Sequence, residues 1–214
     1  RIELTGRLAA SCTAKDVILE LARRGKATGL FTGRVMEFGG LGLATLAFEE
    51  QAVLSNMAVE CNALTAAMEP TAPMIDYVVE KRGLTRAEVE RSVVSPDPGA
   101  RYVETVAIDL SAVTALVARP GHPGNGVPLG DVKGTRIDVA YAGSCTAGDL
   151  TSISMYAKVL AGRKVSVPTY IQYGSERVRE EAKRRGHHEA LLAAGVSIIA
   201  EPGCGACINA GPGG

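Results

Sequence analysis

Lys plus Arg and Asp plus Glu both number 23, so the chain lacks a net charge of either sign and no overall field would draw it to nucleic acid or to an anionic membrane. Only a local basic patch is left open. Long hydrophobic runs are missing too: the apolar stretches fall far short of the roughly 20 residues a membrane helix needs, and no charged-then-apolar leader opens the chain. Tryptophan is absent, yet 46% of the 214 residues are hydrophobic, enough to bury a core in one large domain or two small ones. There is no internal repeat or low-complexity tract. Five cysteines is an odd count, and two of them form a tight Cys-x-x-Cys, which argues for ligation or redox chemistry over a disulfide framework. A soluble protein of a reducing cytoplasm is expected. The chain starts at Arg1 without Met and stops at Gly211-Pro212-Gly213-Gly214, so both ends read as cut from something longer.

Three cysteines organise what is present. Cys145 follows Ile137 to Tyr141, a short run that reads as a buried strand, and Cys204 and Cys207 follow a second such run, Val196 to Ala200. Between them Asp149 to Leu160 reads as a helix, Val165 to Tyr173 as a strand, Ser175 to Arg185 as a charged helix and His188 to Ala194 as another. Alternation of this kind predicts an α/β fold with a mainly parallel sheet and a three-layer α/β/α architecture. Ligands of such sheets sit beyond the carboxyl ends of the strands, so loops ending in these cysteines can face one site.

The first half is less regular. Thr13 is placed to cap a helix from Val17 that closes at Arg23, Arg24 and Gly25, Val35 to Phe38 reads as a strand end, and Leu43 to Glu50 as a short helix. From Ala52 to Met68 the apolar spacing is roughly helical, which would set Asn56 and Glu60 four apart on one helix face. A surface polar pair is the plainer reading of the two; a pair aimed into a site is the sharper one. Thr85 to Glu88 is a capping box, Ser95-Pro96-Asp97-Pro98-Gly99 breaks the pattern, and Tyr102 to Leu110 reads as a strand. This divides the chain into one domain over 1–98 and a second over 104–214. His122, in a Pro- and Gly-rich loop, and His187 and His188, at a helix start, read as solvated imidazoles, and the charges from Glu176 to Arg185 as a solvated face.

A Cys-x-x-Cys alone fits zinc sites, thiol redox centres and iron–sulfur clusters alike. Structural zinc wants a fourth ligand, for which His122, Cys12 and Cys61 are candidates without an obvious position, and a redox disulfide has no use for Cys145. Three thiolates fit a cluster in which one iron has no protein ligand.

Gly143-Ser144-Cys145-Thr146 and Pro202-Gly203-Cys204-Gly205-Ala206-Cys207 resemble the two cluster-binding motifs of the aconitase superfamily. Thr13-Ala14-Lys15-Asp16, Glu37-Phe38-Gly39-Gly40, Asn56-Met57-Ala58-Val59-Glu60, Ile108-Asp109-Leu110-Ser111 and Leu160-Ala161-Gly162-Arg163-Lys164 follow that family's order, most closely its branch of 3-isopropylmalate dehydratase and homoaconitase large subunits. The resemblance implies an iron-dependent hydro-lyase acting on a hydroxy di- or tricarboxylic acid. It also implies a 4Fe-4S cluster held by Cys145, Cys204 and Cys207, with Asn56 and Glu60 lining the site. A serine base would come from a separate swivelling domain, a small partner subunit in this branch. The pattern departs at Ala147, where the family usually has Asn, and at Cys61 and Asn62, where it has small residues; the family's Asp-Ser-His and Asn-Arg-Asn-Phe loops are not in these 214 residues. The alternative kept beside it is an incomplete relative serving as a cluster-, zinc- or RNA-binding module.

Overall fold

A computed structural model describes residues 1–205, and the third cysteine of the predicted set, Cys207, lies outside them. The chain divides into two compact units, Arg1–Lys133 and Gly134–Gly214.

In the first unit the elements run β1 (Ile2–Thr5), α1 (Ala14–Thr28), β2 (Val35–Gly39), α2 (Phe48–Asn56), β3 (Thr65–Met68), α3 (Ala72–Arg82), α4 (Arg86–Arg91), β4 (Val106–Asp109) and the antiparallel pair β5 (Leu116–Ala118) and β6 (Gly126–Pro128). Four of these strands form a parallel sheet in the order β3-β2-β1-β4, with Ile2 level with Phe38 and Val106, and Phe38 level with Met68. Alternate strand positions share a face. Ile2, Leu4, Met36, Phe38 and Ile108 join Val17, Ile18 and Leu21 of α1 and Leu54 of α2 in one buried core. Each such side chain is worth roughly 1.5–3 kcal/mol of burial. The intervening positions carry charge instead: the Arg1 guanidinium donates to Glu3, Glu37 and Glu69 at 2.9, 2.8 and 2.6 Å.

Several expectations are corrected here. The strand read over Tyr102 to Leu110 is present as β4, but it pairs with β1, so the compact units part between residues 133 and 134 and not across 98–104. The Pro-rich stretch at Ser95–Gly99 is an excursion between two elements of one unit. Helix α1 runs past Gly25 to Thr28 and ends at Gly29 in the left-handed conformation (φ 68°). Gly25 stays inside the helix because it lies under the Phe31 ring, where a Cβ would come within 2.6 Å. The helix read over Leu43 to Glu50 resolves into a 3-10 turn, Leu43–Thr45, and the start of α2.

The long helix read from Ala52 to Met68 does not exist. Helix α2 ends at Asn56, a 3-10 turn spans Val59–Cys61, Asn62 takes a left-handed conformation, and the chain then enters β3. The Leu64 N–H donates to the Arg34 carbonyl at 2.8 Å, so pairing with β2 takes over the backbone groups a helix would have used. Val59 and Leu64, which made the spacing look helical, are 57% and 70% exposed.

In the second unit the order is β7 (Ala140–Gly143), α5 (Ser144–Ala147), α6 (Leu150–Leu160), β8 (Thr169–Gln172), α7 (Glu176–Arg184), α8 (His187–Ala193) and β9 (Ser197–Ile198). The strands form a parallel sheet in the order β7-β8-β9. Two of the helices start at side-chain caps. Asp149 caps α6 by accepting from the Ser152 N–H, and Ser175 caps α7 by accepting from that of Val178. Ile153, Ala157, Ile171, Tyr173, Ala182, Leu191, Ala194 and Val196 make a separate core. His188 is not simply solvated: its Nδ1 is 2.9 Å from the hydroxyl of the buried Tyr173. Among the described residues no helix is long and apolar enough to cross a membrane.

Candidate functional site

The two described cysteines of the predicted set sit at the same end of the second unit's sheet. Strand β7 delivers Gly143 (φ 114°) and then Ser144, a non-glycine residue in the left-handed region at φ 63°, and Cys145 follows in the first turn of α5. A left-handed Ser costs roughly 1–3 kcal/mol and survives only where its surroundings enforce it. The enforcement is visible. Gly143 packs against the backbone of Gln172, where a Cβ would fall 1.9 Å from its carbonyl oxygen. Gly148 comes within 2.4 Å, by the same measure, of the Gly174 nitrogen and the Ser144 oxygen, and its own carbonyl accepts from the Gly174 N–H at 2.9 Å. The sharp bend leaves the Cys145 side chain exposed, with the Ser144 and Thr146 hydroxyls 3.9 and 3.8 Å from its sulfur.

Cys204 reaches this end of the sheet by another route. After β9 the chain crosses over the end of β8, where the Gly203 N–H donates to the Tyr173 carbonyl at 2.9 Å. The buried Gln172 side chain donates from Nε2 to the carbonyls of Glu201 at 2.7 Å and Cys204 at 3.2 Å, while its Oε1 accepts from the Tyr141 hydroxyl. Arg179 of α7 donates to the Ala200 carbonyl at 2.7 Å, so one residue of the charged helix holds this loop and is not merely solvated. Sequence reasoning read Arg179 as part of a solvated face and passed over Gln172. A glutamine between Ile171 and Tyr173 was the available signal for the second.

In the first unit, Asn56 is the exposed last residue of α2 and Glu60 lies in the following 3-10 turn, so they are not partners on one helix face. Glu60 Oε2 is shut from solvent and finds no hydrogen-bond donor among the described residues. A carboxylate oxygen left this way costs about 1–3 kcal/mol or more, which marks a group kept for a use other than stability. Burial, helped by the Glu60 charge, pushes the neighbouring Cys61 thiol up to about 12. His122 Nδ1 accepts from the Gly124 N–H at 2.8 Å, which accounts for it as a turn residue.

The donor chemistry separates the cysteines into two kinds. Cys12 and Cys61 are buried in the first unit, their thiols 3.4 Å from the Val113 carbonyl and 3.9 Å from that of Ile18. Cys145 and Cys204 are exposed soft donors on loops held at the carboxyl ends of parallel strands. Gly205 is a close-fitting cradle beside them, since a Cβ there would fall 1.8 Å from Gln172 Oε1. These residues fit a thiolate-held iron–sulfur group. Among the described residues alone no group of three His, Cys, Asp or Glu converges to hold a metal.

The family model described as "Aconitase family (aconitate hydratase)" matches residues 1–136 and 130–213. This chain belongs to the aconitase family. Within that family it is similar to 3-isopropylmalate dehydratase large subunit 1 of Methanopyrus kandleri, at 34% identity over 98% of this chain and 49% of the relative. It is also similar to the methanogen homoaconitase large subunit of Methanocaldococcus jannaschii, at 33% over 98% and 51%, and to the homoaconitase large subunit of Thermus thermophilus, at 35% over 98% and 48%. The chain thus spans about half the length of the curated relatives it matches. Its mixed α/β architecture with parallel sheets agrees with an aconitase-family domain fold.

Proposed function

We propose that this chain is the cluster-bearing portion of an aconitase-family hydro-lyase, which removes water from, and returns it to, a hydroxy di- or tricarboxylic acid such as 3-isopropylmalate or homocitrate. The supporting observation is the pair of exposed thiols, Cys145 and Cys204, on two loops joined to the end of one strand by Gln172. Cys145, Cys204 and Cys207 would hold a 4Fe-4S cluster. When bound, the cluster supplies Lewis acidity that makes the substrate hydroxyl a better leaving group.

The chain's own residues do the rest of what falls to this portion. The strained turn at Ser144 presents one thiolate and the Gln172-bound loop presents another, so the donors are arranged before anything binds. Asn56, exposed at the end of α2, offers an amide to a substrate carboxylate or hydroxyl. The unpartnered Oε2 of Glu60 can hand a proton to the departing hydroxyl, so that it leaves as water, and take one from water in the reverse addition, without first breaking a hydrogen bond to the protein. The base that takes the carbon-bound proton is supplied by a small swivelling subunit or by further chain.

Anaerobic reconstitution with ferrous iron and sulfide tests the reading, followed by a hydration assay on a panel of unsaturated diacids with the partner subunit present. Near-equal iron and sulfide in the chain, lost when Cys145 or Cys204 is changed to serine, is the expected result. Uptake of zinc without sulfide would overturn it.

A further inference from the structure

We propose that Gln172 and Tyr141 are positioning residues for the Cys204 thiolate, locking the two cysteine loops into one unit; this rests on the cluster reading above. Gln172 is the last residue of β8 and only 2% exposed. An amide in that place costs free energy unless all of it is used, and an apolar side chain would fill the space more cheaply. All of it is used. Nε2 donates to the Glu201 and Cys204 carbonyls, three residues apart, and closes residues 201–204 into a ring around one side chain. With both amide protons committed, Oε1 has to be the acceptor, so the Tyr141 hydroxyl has to be the donor.

Tyr141 lies on β7, four residues before Cys145, and Gln172 lies on β8 at the level of Gly143. The tyrosine–glutamine pair therefore runs from the strand that delivers Cys145 to the loop that carries Cys204. Gly205 shows how closely the parts fit, because a Cβ there would also meet the Tyr141 hydroxyl at 2.6 Å. Neither side chain supplies a ligand atom. What they set is the direction in which the Cys204 backbone leaves the sheet, as outer-shell partners orient the ligands of other metal centres.

The test compares the full chain with Gln172→Met, which keeps length and loses every hydrogen bond, and with Tyr141→Phe, which loses one hydroxyl. After anaerobic reconstitution, chelator-driven iron loss is followed by visible absorbance, and amide hydrogen exchange of residues 201–205 is measured in the cluster-free chain. Gln172→Met is expected to lose iron roughly 10- to 100-fold faster than the parent, and to exchange faster at 201–205 but not in α1. Tyr141→Phe should fall between the two, since both Nε2 bonds remain. Equal iron loss in parent and Gln172→Met, or unchanged exchange at 201–205, overturns the proposal. If Gln172→Met unfolds the second unit, Tyr141→Phe carries the test on the same readouts. A parent chain that takes up no iron and sulfide overturns the cluster reading, while hydrogen exchange still decides whether the pair holds the loop.

Discussion

Glu60 and Cys61 are neighbours with opposite needs. The carboxylate has an oxygen closed off from water with no donor among the described residues, and the thiol beside it is buried and held neutral. Replacing Glu60 with alanine should therefore raise the stability of the first unit by about 1 kcal/mol in urea unfolding, and lower turnover of the completed enzyme by roughly 10²- to 10⁴-fold. A variant that is both less stable and fully active would remove Glu60 from the site. Cys61 gives a second prediction. Its thiol is raised from 9.0 to about 12 by burial first and by Glu60 second. A raised value means that the stability it contributes is complete below about pH 9 and is lost as the pH climbs toward about 12, because the unfolded chain ionises first. Urea unfolding of the first unit across that range should show the slope, and Cys61→Ala should flatten it. Near neutral pH a thiol reagent should label Cys145 and Cys204 and spare Cys61 in the folded chain.

Two glycines show what elements demand of single positions. Gly25 sits inside α1, where alanine would ordinarily gain about 1 kcal/mol of helix propensity. Its Cβ would meet the Phe31 ring at 2.6 Å inside a filled core, at a cost of about 1–3 kcal/mol. Gly25→Ala should therefore be net destabilising by about 1 kcal/mol, and a rise in the urea midpoint would contradict the packing of α1 on Phe31. At Gly148 the obstacles are the backbone atoms of Gly174 and Ser144, which cannot turn aside as a ring can. Gly148→Ala should cost the second unit more than Gly25→Ala costs the first. It should also displace Cys145, to be seen as a changed rate of alkylation at that thiol. Helix starts followed local chemistry at Thr85, Asp149 and Ser175, while α3, which Thr71 caps, went unread. Local chemistry did not set the boundaries between Asn56 and Thr65, where no cap marks the end of α2 and pairing with β2 decides that β3 forms.

For the whole molecule, the division into two units is the feature with consequences for experiment. Residues 133–139 form a continuous exposed stretch containing Lys133 and Arg136. Limited trypsin treatment should cut there first and leave two fragments, each keeping its own buried core. Early cleavage at Arg101 and no cut at 133–139 would place the boundary back at the Pro-rich stretch. The first unit's parallel sheet is apolar toward α1 and α2, while the Arg1 cluster with Glu3, Glu37 and Glu69 occupies the intervening positions.

The order of elements in the second unit was readable from the residues, because strand and helix segments alternate and Asp149 and Ser175 cap α6 and α7. In such a chain local propensity and tertiary packing agree. The run Ile137 to Tyr141, however, is not a buried strand: β7 begins only at Ala140, and Ile137 and Val139 are exposed. The sequence alone also supplied the family, through motifs whose order spans nearly all 214 residues. It could not say that β4 belongs beside β1, since strand partners a hundred residues apart are chosen by the core they share. Nor could it say that Glu60 would find no donor among the described residues, or that Gln172 would take hold of the Cys204 loop. Those outcomes depend on which backbone groups arrive next to one another, and that is decided only when the strands have paired and the loops have closed over their ends.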